Sequence, residues 1–388
     1  MDQRTFMEFF AGGGMARAGL GSSWHCTFAN DFDAMKAATY AANWGDDHLH
    51  LADVADITLD DLPEVSDLAW ASFPCQDLSL AGNGGGIGDK AGSTRSGSFW
   101  SFWKLIEQLQ SRRRHPAMIM LENVYGSLTA NKGRDFAAIC RCLSLGGYHF
   151  GALMIDAEKF VPQSRIRVFI LAVRDDLQIP DGLTGKQAEP AWHPPAMVSA
   201  IDRLAEPDLD KWLWWKLPQP PKRTRSLIDL IETDPVGVTW HSNNETERLV
   251  SLMSVGHLQR LDAMKSLGKQ TVGTIYKRMR IGEDGQKHQR AELRWDGIAG
   301  CLRTPGGGSS RQTLMIVNGG TIKSRLLSPR EAARLMGLPD TYRLPGRYND
   351  AYHVAGDGLV VPVVSHISRH LLEPILQAND LAYAVAAE

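Results

Sequence analysis

Short apolar runs and helical patterns alternate along the first half of the chain. The apolar runs, which are typical of β-strands, occupy residues 4–10, 27–31, 68–73, 117–124 and 167–173. Segments with helical periodicity separate several of them, among them D-A-M-K-A-A-T-Y-A-A-N-W and F-W-S-F-W-K-L-I-E-Q-L. Strands separated by helices of this length predict βαβ units. We therefore expect an α/β fold with a mostly parallel sheet and helices on both faces.

The pattern changes near residue 176. Prolines cluster in A-W-H-P-P-A-M and K-L-P-Q-P-P-K-R-T-R, and tryptophans stand at positions 192, 212, 214 and 215. Such punctuation indicates a domain boundary and some irregular structure. Further on, Ser328 precedes the helical pattern P-R-E-A-A-R-L-M-G-L, as an N-cap residue would. We predict a first domain at 1–175, a smaller second domain with its linker at 176–325, and a C-terminal segment at 326–388.

Composition narrows the class of protein. The chain has 388 residues, 43% hydrophobic and 22% charged, which is typical of a soluble globular protein. Five cysteines without regular spacing argue against a disulfide framework and favour a reducing, cytoplasmic setting. Cys140 and Cys142 lack a second cysteine pair, so we predict no metal site. We find no signal-peptide pattern and no apolar run that approaches transmembrane length, and so expect no membrane association.

Charge is unevenly distributed although the net charge is only −2. Residues 1–110 carry 6 Lys and Arg against 15 Asp and Glu, whereas residues 257–330 carry 14 against 5. A basic segment of that size could bind a polyanion, or it could be a solvated basic face. Charge alone leaves both interpretations open.

A glycine-rich turn follows the first predicted strand. F-F-A-G-G-G-M at residues 9–15 would let a ligand approach the backbone closely, although it is neither G-x-G-x-x-G nor a P-loop. Asp31 ends the second strand, about where nucleotide-binding folds place an acid on ribose hydroxyls. Phe32 could stack on a purine, and Asp53 could accept a hydrogen bond from an adenine amino group. Each acid taken singly is better explained as a helix cap or turn residue, but together they predict an adenosine-containing cofactor.

Three further patterns carry reactive chemistry. Cys75 in F-P-C-Q follows an apolar strand, where open α/β sheets bind ligands, and is either a nucleophile or a buried structural cysteine. Glu122 and Asn123 end another strand in L-E-N-V, where a carboxylate is costly without a function or a partner. Arg165 and Arg167 in Q-S-R-I-R are two residues apart and should share one face of a strand. A phosphate-facing or salt-bridged edge is the alternative explanation for them.

These motifs together resemble the DNA cytosine-5 methyltransferase family, in the family's motif order and over almost the full chain. F-A-G-G-G matches the family's S-adenosylmethionine loop, N-D-F-D its ribose-binding acid, and D-V its adenine-binding site. P-C-Q matches the nucleophile motif, E-N-V the base-binding motif, and Q-S-R-I-R the paired-arginine motif. R-L-L-S-P-R-E-A-A-R-L-M-G-L-P resembles the helix that closes the target-recognition domain, and G-D-G-L-V-V-P-V-V resembles the family's last motif.

The resemblance implies a fold and a domain plan. The fold would be that of a Rossmann-like S-adenosylmethionine-dependent methyltransferase. Residues 1–175 would form the catalytic and cofactor-binding domain, 176–325 a smaller target-recognition domain, and 326–388 would complete the catalytic domain.

The resemblance also implies that cytosine C5 is methylated through a covalent intermediate. Cys75 as thiolate would add to C6, and Glu122, protonated or sharing a proton with the base, would hydrogen-bond N3 and the exocyclic amine. Asn123 would hold the backbone around that carboxyl group. Arg165 would hold O2 of the cytosine and help to keep Cys75 ionised, and Arg167 would support it. The target base must be flipped out of the duplex to be reached.

Binding residues follow from the same resemblance. S-adenosylmethionine would be held by Phe10, Ala11, Gly12, Gly14, Asp31, Phe32, Asp53, Val54, Pro74 and Asp357. Double-stranded DNA would be contacted by Gln76, Ser79, Arg95, Gln163, Arg303 and Arg311. Arginine is the usual reader of guanine edges, but arginines that touch only phosphates would set affinity without specificity. We expect a monomer, with cognate restriction or defence-system proteins as candidate partners.

Asp357 departs from the family pattern, in which asparagine usually stands beside the cofactor. The carboxylate predicts altered affinity or selectivity for S-adenosylmethionine, and equal binding by Asp357→Asn and the parent would contradict this. Three alternatives to a DNA methyltransferase stay open: the branch of the family that methylates tRNA, a catalytically silent relative that only binds DNA or a protein, and, only if the motif set is a coincidence, an α/β enzyme with unrelated chemistry. The basic, glycine-rich second domain favours duplex DNA, and intact Cys75, Glu122 and Arg165 argue against a silent relative.

Overall fold

The computed structural model describes residues 3–74, 97–282, 285–303 and 311–387, with side chains up to residue 380. The chain forms two compact units. The first unit comprises residues 1–156, 166–220 and 363–388, and the second comprises 157–165 and 221–362. Residues 176–220 thus belong to the first unit and 326–362 to the second, which differs from the predicted domain ranges. The limits of the functional domains stay a prediction.

A seven-stranded sheet forms the centre of the first unit. Its strands are β1 (Arg4–Phe9), β2 (Trp24–Asp31), β3 (Leu49–Leu51), β4 (Leu68–Ala71), β5 (Met118–Val124), β6 (Tyr148–Asp156) and β7 (Ile166–Arg174). They lie in the order β3-β2-β1-β4-β5-β7-β6. The first five are parallel, and β7 is antiparallel to both of its neighbours. The predicted α/β fold with a mostly parallel sheet is confirmed, although the sequence pattern had not predicted β3 and β6.

Helices connect these strands and form much of the rest of the chain. In chain order they are α1 (Met15–Leu20), α2 (Ala34–Trp44), α3 (Ser98–Ser111), α4 (Arg134–Leu145), α5 (Pro195–Ile201), α6 (Glu206–Leu209), α7 (Asn243–Ser251), α8 (Val255–Ser266), α9 (Pro329–Leu335), α10 (Tyr348–Asp357), α11 (Val361–Ile367) and α12 (Glu373–Ala387). The start of α2 is fixed by Asp33, whose side chain accepts hydrogen bonds from the first free N–H groups of the helix, as N-cap residues do.

One apolar core lies between the sheet and its helices. Phe9 of β1 packs against Phe28 of β2 and Phe102 of α3, with ring centroids 5.1 and 5.0 Å apart. All three rings are fully buried, and each contributes about 2–3 kcal/mol relative to an exposed ring. This packing holds the strands that carry the glycine turn and Asp31.

The second unit has an antiparallel sheet of its own. After the short ribbon of β8 (Thr184–Gly185) and β9 (Trp214–Trp215) in the first unit, the remaining strands are β10 (Thr271–Ile281), β11 (Lys287–Arg294), β12 (Thr313–Asn318) and β13 (Thr321–Leu326). They lie in the order β11-β10-β12-β13. Ser328 caps α9 in a capping box with Glu331, which confirms the predicted N-cap. Glu331 also forms a fully buried bidentate pair with Arg325, at 2.6 and 2.8 Å.

One helical stretch bears on the prediction that no run approaches transmembrane length. Among the described residues, the 33 residues Tyr348–Asp380 are long and apolar enough to cross a membrane by length and composition. Of the most apolar window in this stretch, 56% is buried inside the protein. A core helix passes the same test, so the stretch by itself assigns no membrane contact.

Candidate active site

The parallel strands bring several predicted motifs to one edge of the first unit's sheet. The glycine turn follows β1, Asp31 ends β2, Pro74 follows β4, and Glu122 and Asn123 lie at the end of β5. The chain order of the strands runs in opposite directions on the two sides of the boundary between β1 and β4. Open α/β sheets bind their ligands in the crevice at such a switch point, outside the carboxyl ends of the strands.

The turn after β1 alternates left-handed residues and is held by Asp31. Phe10, Gly12 and Gly14 have φ of +56°, +56° and +76°. Asp31 accepts hydrogen bonds from the N–H groups of Gly12 at 2.8 Å and Asp33 at 2.9 Å. Burial raises the pKa of Asp31, and these N–H groups oppose the rise. An added Cβ at Gly12 would meet nothing within 4 Å, so the glycine leaves the backbone open to a ligand.

Of the other residues predicted to bind the cofactor, some are exposed to solvent and others are buried or cap a turn. Phe32 is 63% exposed beside the buried Asp31, so its ring is available for stacking. Asp53 caps the short turn of Val54–Asp56 by accepting from the N–H of Ala55 at 2.9 Å. Val54 and Ala11 are buried, and Pro74 is exposed. An open glycine backbone, an acid and an exposed ring on adjacent strand ends fit a nucleoside-containing cofactor such as S-adenosylmethionine.

The end of β5 carries a buried charge pair. Glu122 is 8% exposed, and its Oε1 lies 3.1 Å from Nε of Arg167. Arg167 lies opposite Val124 in the β5–β7 register, which places it diagonally across from Glu122 on the same face. Asn123 donates a hydrogen bond to the carbonyl of Phe73 at 3.2 Å and accepts one from the N–H of Val124 at 2.8 Å. The amide therefore ties the end of β5 to the segment that follows β4.

Arg165 has different surroundings from Arg167. Its guanidinium donates to the carbonyl oxygens of Leu302 at 3.0 Å, Gly356 at 2.9 Å and Gly358 at 2.7 Å, all within the second unit. The prediction that the two arginines share a face does not hold, because Arg165 precedes β7 and the two-residue alternation applies only inside a strand. The two carbonyls next to Asp357 are thereby fixed by one side chain.

The predicted DNA-contacting residues within the described chain belong to the second unit. Gln163 is fully buried; its amide donates to the carbonyl of Leu335 at 2.8 Å and accepts from the N–H of Leu302 at 3.0 Å. Such burial suits a scaffold residue and not a DNA contact. Arg303 is exposed, whereas Arg311 donates to Asn349 at 2.6 Å.

The remaining predicted site residues are placed as follows. Asp357 is exposed at the end of α10, and its carboxylate lies 3.1 Å from Nε2 of His353. Cys75, Gln76, Ser79 and Arg95 lie outside the described residues. Among the described residues no three His, Cys, Asp or Glu side chains group as metal ligands.

Two features of the structure had no signal in the sequence pattern. Trp44 contacts the glycine turn from the end of α2, and two arginine side chains, Arg278 and Arg303, lie against the ring of Tyr276 in the second unit. The contacts of Trp44 with Gly13 and of Tyr276 with Arg303 join residues distant in the chain. An aromatic residue in a helix or strand is more often a core residue, so neither position stood out.

Comparisons with known proteins match almost the whole chain. The family model for C-5 cytosine-specific DNA methylase matches residues 4–373. Type II methyltransferase M.HhaI of Haemophilus parahaemolyticus is 25% identical over 370 residues, which cover 94% of this chain and 93% of the relative. Type II methyltransferase M.HpaII of Haemophilus parainfluenzae is 26% identical over 398 residues, covering 97% and 91%.

Solved structures share the fold. The crystal structure of a Spodoptera frugiperda DNMT2 mutant superimposes with a TM-score of 0.61 at 16% identity and covers 95% of this chain and 99% of that one. The crystal structure of S. pombe Dnmt2 methyltransferase gives a TM-score of 0.56 at 17% identity, covering 96% and 99%.

The fold is therefore that of the S-adenosylmethionine-dependent methyltransferases. Within that class, the chain belongs to the C-5 cytosine-specific DNA methylase family. The enzyme is a DNA cytosine-5 methyltransferase.

Proposed function

We propose that this enzyme methylates C5 of a flipped cytosine in a specific duplex DNA sequence, through a covalent bond between Cys75 and C6 of the base. The observation that carries the proposal is the buried pair of Glu122 and Arg167 beside Asn123, whose amide bonds the carbonyl two residues before Cys75. A carboxyl group oriented in this way at a strand end is suited to hydrogen-bond a heterocyclic base. The glycine turn, Asp31 and Phe32 would hold S-adenosylmethionine, which supplies the methyl group when bound.

Cys75 and Glu122 have different roles in the proposed methylation of cytosine C5. Cys75 as thiolate adds to C6 and makes C5 nucleophilic, since the ring carbon alone is a poor nucleophile. Glu122 shares a proton with N3 and accepts from the exocyclic amine, which stabilises the electron density that moves into the ring. After C5 has accepted the methyl group, with S-adenosylhomocysteine as the leaving group, a base takes the C5 proton. The bond between sulfur and C6 then breaks, which restores the thiolate and leaves 5-methylcytosine in the DNA.

The geometry favours an exchange of the two arginine roles that the sequence predicted. Arg167, which pairs with Glu122 at 3.1 Å, is better placed to hold that carboxylate and to donate to O2 of the cytosine. Arg165 satisfies three carbonyl oxygens around Leu302 and Asp357, and we propose that it organises that backbone.

One face of the β10–β11 hairpin supports DNA binding by the second unit. Arg278 lies opposite Arg290, and Arg280 lies opposite His288, so these four side chains share a face. Glu292 pairs with Arg278 at 3.1 Å and also with Arg280, which orients both guanidinium groups. The face keeps a positive charge, as a polyanion surface requires.

Arg303 lies next to this face through Tyr276. The guanidinium carbons of Arg303 and Arg278 lie 5.7 and 5.8 Å from the centroid of the Tyr276 ring. A stacked guanidinium is pre-oriented for bidentate contact with guanine or phosphate. Arg311 is engaged with Asn349 and with the ring of Tyr348, so we place Arg303 before it as a base-reading candidate.

The biological setting is also part of the proposal. Both relatives are named Type II methyltransferases, which supports a role in restriction-modification or a related defence system, with DNA in the cytoplasm as substrate. A monomer is the simplest assembly for one catalytic and one recognition region.

The test compares substrates with tritium-labelled S-adenosylmethionine. Unmethylated plasmid and a tRNA pool are each incubated with the enzyme and with Cys75→Ser. Label in plasmid as 5-methylcytosine, absent with Cys75→Ser, is the expected result, and bisulfite sequencing then gives the site. Label in tRNA alone would support the tRNA-methylating branch, and no label in either substrate with cofactor still bound would indicate a silent binding protein.

A second arm tests the covalent step. With S-adenosylmethionine present, a duplex containing the site with 5-fluorocytosine at the target position should remain attached to the enzyme in detergent. After methylation C5 carries fluorine in place of the proton, so the sulfur cannot be eliminated from C6. Cys75→Ser should give no adduct. Methylation without any adduct would contradict the covalent route.

A further inference from the structure

Two glycines of the turn after β1 have different surroundings although both have left-handed φ. An added Cβ at Gly12 would meet nothing within 4 Å. At Gly14 it would lie 2.6 Å from Cδ1 of Trp44 and 3.0 Å from Cδ2 of Tyr40. Gly14 is therefore packed against the indole, and Gly12 is open to a ligand.

Trp44 is itself held in place. Its Nε1 donates to the carbonyl of Gly13 at 3.1 Å. The guanidinium carbon of Arg17 lies 5.2 Å from the Trp44 ring and 5.8 Å from the Tyr40 ring, and Arg17 donates to the Tyr40 hydroxyl at 3.1 Å. Tyr40 is fully buried. The glycine turn thus packs against a cluster of Trp44 and Tyr40 from α2 and Arg17 from α1.

We propose that Trp44 is a positioning residue for S-adenosylmethionine: it fixes the Gly13–Gly14 backbone so that the open backbone at Gly12 keeps the shape that binds the cofactor. The inference rests on the proposed function, which assigns that cofactor to the turn. Helix α2 connects the acid and ring at the end of β2 with the support of the glycine turn, because it begins just after Asp31 and Phe32 and ends at Trp44. A change at Trp44 acts on the cofactor through the turn.

The first test separates binding from chemistry. Trp44→Phe keeps a ring but removes the N–H that bonds Gly13. We expect its Kd for S-adenosylmethionine, measured by calorimetry, to rise about fivefold, the effect of one lost hydrogen bond. The KM for S-adenosylmethionine should rise by a similar factor while kcat at saturating cofactor stays within about twofold. A purely structural role would instead lower the amount of active protein and leave the KM unchanged.

The second test is a double-mutant cycle with a matched control. Gly14→Ala should cost at least about ten times more affinity in the wild-type background than in the Trp44→Ala background, because the indole that meets the new methyl group is then absent. Gly12→Ala introduces comparable strain at a left-handed position but lies away from the indole. It should therefore raise the Kd for S-adenosylmethionine by the same factor in both backgrounds.

The outcomes separate the inference from the proposed function. The positioning role is overturned if Trp44→Phe leaves the Kd for S-adenosylmethionine unchanged, or if Gly14→Ala raises that Kd by the same factor in both backgrounds. In either case, binding of S-adenosylmethionine by the wild-type protein still supports the cofactor assignment. A wild-type protein that binds no S-adenosylmethionine overturns the cofactor assignment and this inference with it.

Discussion

The pair of Glu122 and Arg167 allows a quantitative test of the site. The side chains are only 10% and 16% exposed, and the atoms Oε1 and Nε are 3.1 Å apart. Arg167→Met removes the guanidinium and leaves the carboxylate buried, whereas Glu122→Gln removes the negative charge and keeps the shape. The double variant removes both charges.

The expected coupling follows from burial and distance. Two unit charges about 4 Å apart attract by about 4 kcal/mol at an effective dielectric constant near 20, and part of this is offset by desolvation. We expect Arg167→Met to lower the free energy of unfolding by about 2–4 kcal/mol and Glu122→Gln by about 1–3 kcal/mol. The double variant should lose about 2 kcal/mol less than the sum of the two.

The assay is urea unfolding of the four proteins at pH 7 and low salt. Urea is uncharged and does not screen the pair, unlike guanidinium chloride. In parallel, single-turnover methylation of the identified site should fall at least about a hundredfold in each single variant, since the proposed function places both groups against the base.

Additive losses would refute this reasoning. If the double variant loses the sum of the single losses within about 0.5 kcal/mol, the charge pair does not form in solution, and the exchanged role proposed for Arg167 fails with it. Exposed Arg203, which donates to the carbonyl of Lys132 and does not pair with Glu122, provides the control, because Arg203→Met with Glu122→Gln should be additive.

Three other groups give further predictions. Burial raises the pKa of Glu8 from 4.5 to about 8. The stability that this carboxyl group contributes is therefore complete below pH 4.5 and is lost as the pH rises towards 8. In urea unfolding between pH 5.5 and pH 8, the free energy of unfolding of Glu8→Gln should rise by about 3 kcal/mol relative to that of the parent, and parallel pH profiles would contradict this. Arg325→Met should lower the free energy of unfolding by about 3–5 kcal/mol, because Glu331 is left charged and fully buried. Arg325→Met with Glu331→Gln, which removes the charge but keeps an oxygen that can accept from the Ser328 N–H, should recover part of that loss. Asn123→Ala should cost about 1–2 kcal/mol in urea unfolding and lower adduct formation with 5-fluorocytosine more than DNA affinity, since it frees the Phe73 carbonyl; equal losses in both measurements would argue against a positioning role.

The sequence by itself determined the local elements and the order of the motifs. Apolar runs and helical periodicity gave β1, β2, β4, β5 and β7 because burial on a sheet or helix face leaves a local pattern. Ser328 predicted the start of α9, since the capping box involves only residues within one helical turn of each other. The ordered motifs gave the family and the edge of the sheet where they meet.

The tertiary structure decided which residues touch. The sequence pattern predicted that Arg165 and Arg167 share one face. In the structure β7 begins at Ile166, so Arg167 lies in the strand and pairs with Glu122, whereas Arg165 precedes the strand and has other partners. Gln163 and Trp44 show the same limit, because their partners lie 172 residues away at Leu335 and 31 residues away at Gly13. The short β3 was missed since three residues carry too little periodicity to be recognised. Burial, charge pairing and aromatic support depend on distant segments of the chain, so no local pattern could determine them.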